Sequence, residues 1–312
     1  MTGAPVPVVP LAPPPPVVLA YGIGVDSTAL LIELEARGEA PDLVLTADTE
    51  AEKDETYEFQ TMMRAWMAER SIPYEVVRYE TKRFKNWPPY RNLTESLLTN
   101  GCLPSIAFGR HSCSLKYKAA PQEAFLKAWS PAIAAWSEGH KVIRYIGYDA
   151  SPRDSQRYAH AKAIDDPLFD NRYPLREWGW TRERCAARIV EAGLPVPPKS
   201  SCVFCTAMKP DEVRGLSPRW LRTIVLIEAR AAPRLRTVEG LWRKTTRTRP
   251  GRMTDFIREE GLLPGEEIDR IMAQAPKDLV AFQDRAAALD LADRTPMASW
   301  LERFHSGETH HA

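Results

Sequence analysis

The stretch Val17-Val18-Leu19-Ala20-Tyr21-Gly22-Ile23-Gly24-Val25-Asp26-Ser27-Thr28 constrains the chain more than any other. An apolar run falls into a two-glycine loop that ends in Asp-Ser-Thr, and Ala29-Leu30-Leu31-Ile32-Glu33-Leu34 follows at helical spacing. This order reads as strand, loop, helix. Such a loop aims backbone N–H groups and the positive end of a helix dipole at one point, and glycine lets a phosphate approach the backbone closely. The segment lacks the Gly-Lys-Ser/Thr of a Walker loop and the third glycine of a dinucleotide fingerprint, so neither of those phosphate motifs accounts for it. The non-ligand reading is an ordinary strand-to-helix turn with Ser27 as its cap.

Asp42-Leu43-Val44-Leu45-Thr46-Ala47 reads as a second buried strand, with Asp48-Thr49-Glu50 at its C-terminal end, where doubly wound sheets place ligand-contacting residues. Glu55-Thr56-Tyr57-Glu58-Phe59 then opens an amphipathic helix whose apolar face carries Phe59, Met62, Met63, Trp66 and Met67. Strands are expected at 16–20, 42–47, 74–78 and 142–147, with helices at 28–37, 55–70 and around 118–136. Alternation of this kind predicts an α/β fold with a mainly parallel sheet wrapped by helices. Thr81 to Gly109, with Asn86-Trp87-Pro88-Pro89, reads as an irregular insertion. The chain divides into a disordered proline-rich arm (1–15), a nucleotide-binding and cysteine-bearing domain (16–214), an appended helical region (215–300) and a flexible tail (301–312).

Seven prolines and no basic residue in the first sixteen positions exclude a secretory signal of the usual form, and no apolar run approaches the roughly 20 residues that cross a bilayer. A soluble, cytoplasmic protein with no membrane partner is expected. The formal net charge of +1 gives no overall pull on nucleic acid, so any such contact must be local. Arg230, Arg234, Arg236, Arg243, Lys244, Arg247, Arg249 and Arg252, with Trp242 among them and Glu239 the one acid, form such a patch. It reads either as a nucleic-acid contact over 230–252 or as a solvated face. The histidines His305, His310 and His311 receive no role. Cys102, Cys113, Cys185, Cys202 and Cys205 are too few and odd in number for a disulfide framework, whereas Cys202-x-x-Cys205 has metal-ligand spacing. Thiolates suit both zinc and iron–sulfur clusters. Cys185, within a helical pattern, reads as a core residue.

In combination these segments resemble a known family. Gly-Ile-Gly-Val-Asp-Ser resembles the Ser-Gly-Gly-x-Asp-Ser loop of the PP-loop ATP pyrophosphatases, with Tyr21 in place of the usual serine and Ile23 between the two glycines. Asp48-Thr49 with Glu55-Thr56-Tyr57-x-Phe59 resembles the signature of phosphoadenosine phosphosulfate reductase-like proteins, in which glycine usually stands at the place of Glu50 and proline at that of Asp54. Ser112-Cys113 with Lys116, Lys118 and Pro121, and later Cys202-Val203-Phe204-Cys205-Thr206, resemble the two halves of the cysteine motif of assimilatory sulfonucleotide reductases, Ser112 replacing the first cysteine of the pair. Gly147 to Arg157 resembles an arginine-bearing loop of the same superfamily, and Tyr173-Pro174-Leu175-Arg176-Glu177-Trp178 with Leu194 to Pro198 resembles the run before the closing cysteines. The likeness covers about residues 15–210.

This resemblance implies a Rossmann-like (HUP-type) doubly wound sheet. It implies an adenine nucleotide such as ATP held by Tyr21, Gly22, Gly24, Asp26, Ser27, Thr28, Asp48 and Thr49, with Arg153 and Arg157 as a phosphate clamp. Asp26, Ser27 and Asp48 would act catalytically, Asp26 or Asp48 helping to position Mg²⁺. Cys113, Cys202 and Cys205 would hold a 4Fe-4S cluster, with zinc as the alternative; Cys102 is either the fourth ligand or absent from the site, leaving one iron open. Three functions follow from it: cleavage of ATP at the α phosphate to activate an acceptor, with sulfur transfer to a nucleic acid as one outcome; reduction of a sulfonucleotide; or non-catalytic, metal-stabilised binding of nucleotide or nucleic acid. The family's reductases attack with a thiolate on a C-terminal Glu-Cys-Gly segment, and this sequence has no cysteine after Cys205.

Overall fold

The computed structural model describes residues 14–81, 90–104, 106–107 and 110–306. Most of the proline-rich arm, Asn86 to Pro89 of the expected insertion, and His310 and His311 fall outside the described residues. Five strands form one sheet: β1 (Val17–Ala20), β2 (Leu43–Asp48), β3 (Tyr74–Arg78), β4 (Val142–Ile146) and β5 (Phe169–Arg172). Their order is β3-β2-β1-β4-β5, and every pairing is parallel. Gly22 and Asp48 therefore lie on the same, C-terminal edge, as the sequence leads one to expect.

A parallel sheet buries both faces, and the alternation of side chains along β1 shows it. Leu19 points into a core with Leu30 and Leu34 of helix α1 (Val25–Ala36), Phe59, Met63 and Met67 of α2 (Asp54–Glu69), and Cys185 and Ile189 of the helix Arg182–Glu191. Val18 points the other way, against Leu43, Leu45, Leu126, Ala132, Val142 and Phe169. Helices thus cover both faces.

Four expectations need correction. Within the stretch read as an irregular insertion, Leu93–Asn100 is a helix whose first turn Asn92 caps by accepting the Glu95 N–H at 2.9 Å, and its Leu93, Leu97 and Leu98 are buried. The helix foreseen around 118–136 is broken: a π-helical stretch, Leu115–Ala119, runs into Ala120–Leu126, and a separate helix, Ser130–Ser137, carries Pro131 in its first turn, where the ring is tolerated. The strand β5 is additional. The tail is helical as far as Ser306, in Met297–Ser306, because Met297 and Trp300 are buried against the rest of the helical region and Phe304 packs on Trp300 with ring centroids 5.5 Å apart. That region, built on Pro218–Ala231, Met253–Glu259 and Gly265–Ala288, shares one core with Leu93, Leu97, Leu98, Val203 and Phe204. No helix among the described residues is long and apolar enough to cross a membrane.

Candidate functional site

The loop between β1 and α1 is held in an unusual shape. Ile23 has φ +58°, the left-handed region that a β-branched side chain enters at a cost of about 1–2 kcal/mol. Its side chain is 5% exposed and packs in the core beneath the loop, which offsets that strain. Glu50 after β2 has φ +56°. The position between the loop glycines and the position where the resembled family carries glycine thus both adopt the backbone shape glycine favours. Gly24 (φ −101°, ψ 172°) precedes the first turn of α1, and no side chain caps that turn. A Cβ added at Gly22 or Gly24 would meet nothing within 4 Å. The N–H groups opening α1 therefore face an uncluttered approach, the arrangement that favours an anion. Behind them the backbone is tight: a Cβ on Gly147, after β4, would lie 3.0 Å from the Ser27 nitrogen.

The structure sorts the expected nucleotide ligands. Tyr21 and Thr28 turn inward, 1% and 0% exposed, and their hydroxyls bond each other at 3.0 Å, so neither side chain offers a hydroxyl to a phosphate. Burial pushes the Tyr21 phenol well above its ordinary range. Ser27 donates to the Gly24 carbonyl at 3.2 Å and stands at the helix start, where its hydroxyl can turn to a ligand. Asp48 is fully engaged: Oδ2 accepts from Arg78 Nη2 (3.0 Å) and Nε (3.2 Å), and Oδ1 accepts from Tyr57 (2.9 Å) and from the Glu50 N–H (2.8 Å). It braces the turn carrying Glu50 and has no free oxygen for Mg²⁺. Beside it, a cleft of about 110 Å³ is lined by Gly22, Ile23, Thr46, Asp48, Tyr57 and Ser200, among others.

Asp26 offers a different donor set. Its Oδ2 accepts from Arg182 at 2.9 Å, while its buried Oδ1 has no hydrogen-bond partner. Asp149 and Asp154 bring carboxylate oxygens within 4.8 Å of it and of each other, the one such group among the described residues. Burial pushes the Asp26 carboxyl up to about 6, against Arg182, with Asp149 and Asp154 adding to the rise. Hard oxygen donors and an unmet buried oxygen fit Mg²⁺. Asp149 also accepts the Ser151 N–H at 2.8 Å, and Asp154 accepts Arg157 at 3.0 Å. Arg157 is thus paired, and its guanidinium also lies over the Tyr148 ring, so it does not form a free clamp with the exposed Arg153.

The cysteine segment reaches this edge directly. Ser200 donates to the Gly22 carbonyl at 2.7 Å, Thr49 Oγ1 and Cys202 Sγ are 3.4 Å apart, and Val203 N–H bonds Ala51 carbonyl at 2.8 Å. Cys113 stands in a single turn, Ser112–Ser114, ahead of the π-helical stretch; burial and the adjoining Cys205 sulfur push its thiol up. Cys202 is pushed up to about 12 by burial and then by Glu52, with Lys118 and the Thr49 hydroxyl acting in the opposite sense. Lys118 donates to Glu52 at 3.0 Å. Cys113, Cys202 and Cys205 thus face one region, but no three thiols among the described residues lie mutually within 4.8 Å. One zinc with bonds of about 2.3 Å would draw its thiolates to roughly 4 Å of one another. A cube in which each thiolate binds its own iron spaces them further, and thiolates suit either group. Cys102 is exposed; desolvation pushes its thiol up, with Arg234 and Lys116 acting in the opposite sense. Cys185 is fully buried in the core.

Asp149, Asp154, Glu52 and Arg182 were not foreseen as site residues. Only the adjacency of β1 and β4 brings Asp149 to Asp26, and no short-range motif announces it. No protein-family model matches the chain, and no curated protein matches it.

Proposed function

We propose that the chain binds an adenine nucleotide at the Gly22–Ser27 loop and cleaves ATP between its α and β phosphates to activate an acceptor, as PP-loop enzymes of the phosphoadenosine phosphosulfate reductase-like group do. The observation that carries this reading is the joining of three separated segments at one sheet edge: Ser200 bonded to Gly22, and Cys202 against Thr49. The left-handed backbone at Ile23 and Glu50 supports it further, since both positions take the conformation that glycine favours.

In this reading the N–H groups opening α1 and the Ser27 hydroxyl hold phosphate oxygens, and catalysis is mostly positioning and charge neutralisation. An acceptor oxygen attacks the α phosphorus, the α–β bridging bond breaks, and its electron pair leaves on pyrophosphate; a nucleophile then displaces AMP from the activated acceptor. Asp26, Asp149 and Asp154 would hold Mg²⁺, which neutralises phosphate charge, and Arg182 fixes the Asp26 carboxylate. In this reading Asp48 positions the Glu50 turn at the rim of the cleft. Cys113, Cys202 and Cys205 would hold an iron–sulfur cluster, which would supply sulfur chemistry beside the nucleotide. The test is pyrophosphate release from ATP by anaerobically purified protein supplied with candidate acceptors. Sulfite released from a sulfonucleotide, with no pyrophosphate from ATP, would replace this reading with that of a reductase.

A further inference from the structure

The stretch from Arg234 to Arg252 is long and irregular, yet it is built as a rigid mount. Glu228, 4% exposed on the helix Pro218–Ala231, accepts the Leu241 N–H at 2.7 Å at one end of the loop. At the other end it accepts Met253 N–H (3.0 Å), Thr254 N–H (2.8 Å) and the Thr254 hydroxyl (2.6 Å). A buried carboxylate met by four donors ties both ends of the loop to one point. Leu241 and Trp242 are buried, and Trp242 donates its indole N–H to the Met208 carbonyl at 2.8 Å. Gly240 and Gly251 are required by close approach, since a Cβ at either would lie 2.5 Å from a carboxylate oxygen of Glu228 or Glu239. Arg243 takes φ +72° at the bend, its carbonyl accepting the Glu239 N–H at 2.6 Å.

What this mount displays is positive charge. Arg236, Arg243, Lys244 and Arg247 are exposed, and no carboxylate among the described residues lies within ion-pair distance of any of them. The loop's own acid, Glu239, is turned onto Thr245, accepting its N–H at 3.2 Å. Rings are withheld: Trp242 and Phe256 are 3% and 6% exposed, and Arg249 covers Trp242 from 5.0 Å. Single strands are usually held by stacking bases on exposed rings, whereas a double helix presents its phosphates outward and needs none.

We infer that the Arg236–Arg247 loop is a contact surface for the phosphate backbone of a double-helical nucleic acid, read without stacking on bases. The test is independent of any nucleotide chemistry, because it uses no ATP. Fluorescence anisotropy of the full chain with labelled duplex and single-stranded oligonucleotides of equal length, across a KCl series, is compared with the variant Arg236→Gln, Arg243→Asn, Arg247→Gln. Asparagine tolerates the left-handed backbone at 243, so the loop keeps its shape. The expected result is tighter binding of duplex than of single strand, and a variant whose log K against log salt slope is shallower by about 2.7, near 0.9 for each phosphate that the variant no longer neutralises. A variant with unchanged slope, tighter binding of the single strand, poly-glutamate bound more tightly than duplex at equal salt, or no duplex binding at low salt would each overturn the inference. A far-ultraviolet circular dichroism spectrum identical to that of the parent excludes unfolding as the cause of a loss.

Discussion

Replacing Gly24 by valine separates what the loop does for the fold from what it does for a ligand. The backbone there, φ −101° and ψ 172°, is extended and open to a β-branched residue, and the added Cβ meets no protein atom within 4 Å. Two small stability effects oppose each other. Losing glycine before the first helical turn costs about 1 kcal/mol, and restricting the unfolded chain returns about 0.4–1 kcal/mol. Folding stability should therefore change by less than about 1 kcal/mol. The ligand fares differently, because the new side chain projects into the approach to the uncapped N–H groups of α1. Losing two hydrogen bonds to a charged phosphate, each about 1.5–3 kcal/mol, removes about 3–6 kcal/mol, at least a hundredfold in Kd. Urea denaturation and titration calorimetry with ATP and Mg²⁺ measure the two quantities on the same sample. The companion variant Gly147→Ala should behave in the opposite way, losing about 1–3 kcal/mol of stability, because its Cβ would press on the Ser27 backbone at 3.0 Å. An ATP affinity for the valine variant within about threefold of the parent, under 1 kcal/mol, would refute the phosphate loop.

Glu228→Gln should destabilise the fold by about 2–4 kcal/mol, since its NH₂ group must face the Thr254 N–H and leave a buried donor unmet; hydrogen exchange at Leu241, Met253 and Thr254 should accelerate, and an unchanged urea midpoint would contradict the tether. Burial, with Arg219 and Arg222 nearby, lowers His305 to about 4, so the folded chain resists a proton that the unfolded chain accepts near 6.5. Stability should thus be complete above about pH 6.5 and fall by about 1–2 kcal/mol as pH drops toward 4, the figure discounted for partial exposure; in His305→Gln the loss over that window should vanish from the urea midpoints. Cys113→Ser, Cys202→Ser and Cys205→Ser, purified without oxygen, should each lose iron and acid-labile sulfide while Cys102→Ser and Cys185→Ser retain them; full retention in the Cys202 and Cys205 variants would remove the cluster.

The parts of the fold that were legible in the sequence are those whose residues announce their own burial. Val17 to Ala20 and Leu43 to Ala47 are apolar runs ended by turn residues, and both are strands. Phe169–Arg172 is Phe-Asp-Asn-Arg, an edge strand with one apolar residue, and its pairing is sustained by partners such as Arg144, which donates to Asn171 at 2.7 Å. No periodic signal marks it. The last helix was legible but not read: Met297, Trp300, Leu301 and Phe304 fall at i, i+3, i+4 and i+7, the spacing of one helical face. At the site, Gly22, Gly24 and Asp26 were local enough to read, whereas the Asp26, Asp149 and Asp154 group depends on which strand lies beside β1. The opposite error concerns Ile23 and Glu50, which look like losses from a glycine motif. Their backbone angles lie in the left-handed region that glycine favours.

Because Ile23 is pinned below by the core, the loop above it is a template rather than a tether. A glycine-rich loop that wanders must be ordered when a ligand arrives, and fixing each residue subtracts about 1–2 kcal/mol from the affinity. Here folding has already met that ordering requirement, since the buried Ile23 side chain opposes exchange among loop shapes. If the loop holds phosphates as proposed, selectivity at this edge is a matter of fit to a fixed outline: a ligand whose phosphates match the N–H groups of α1 would bind without waiting for the protein, and one that does not match would find no alternative loop to bind.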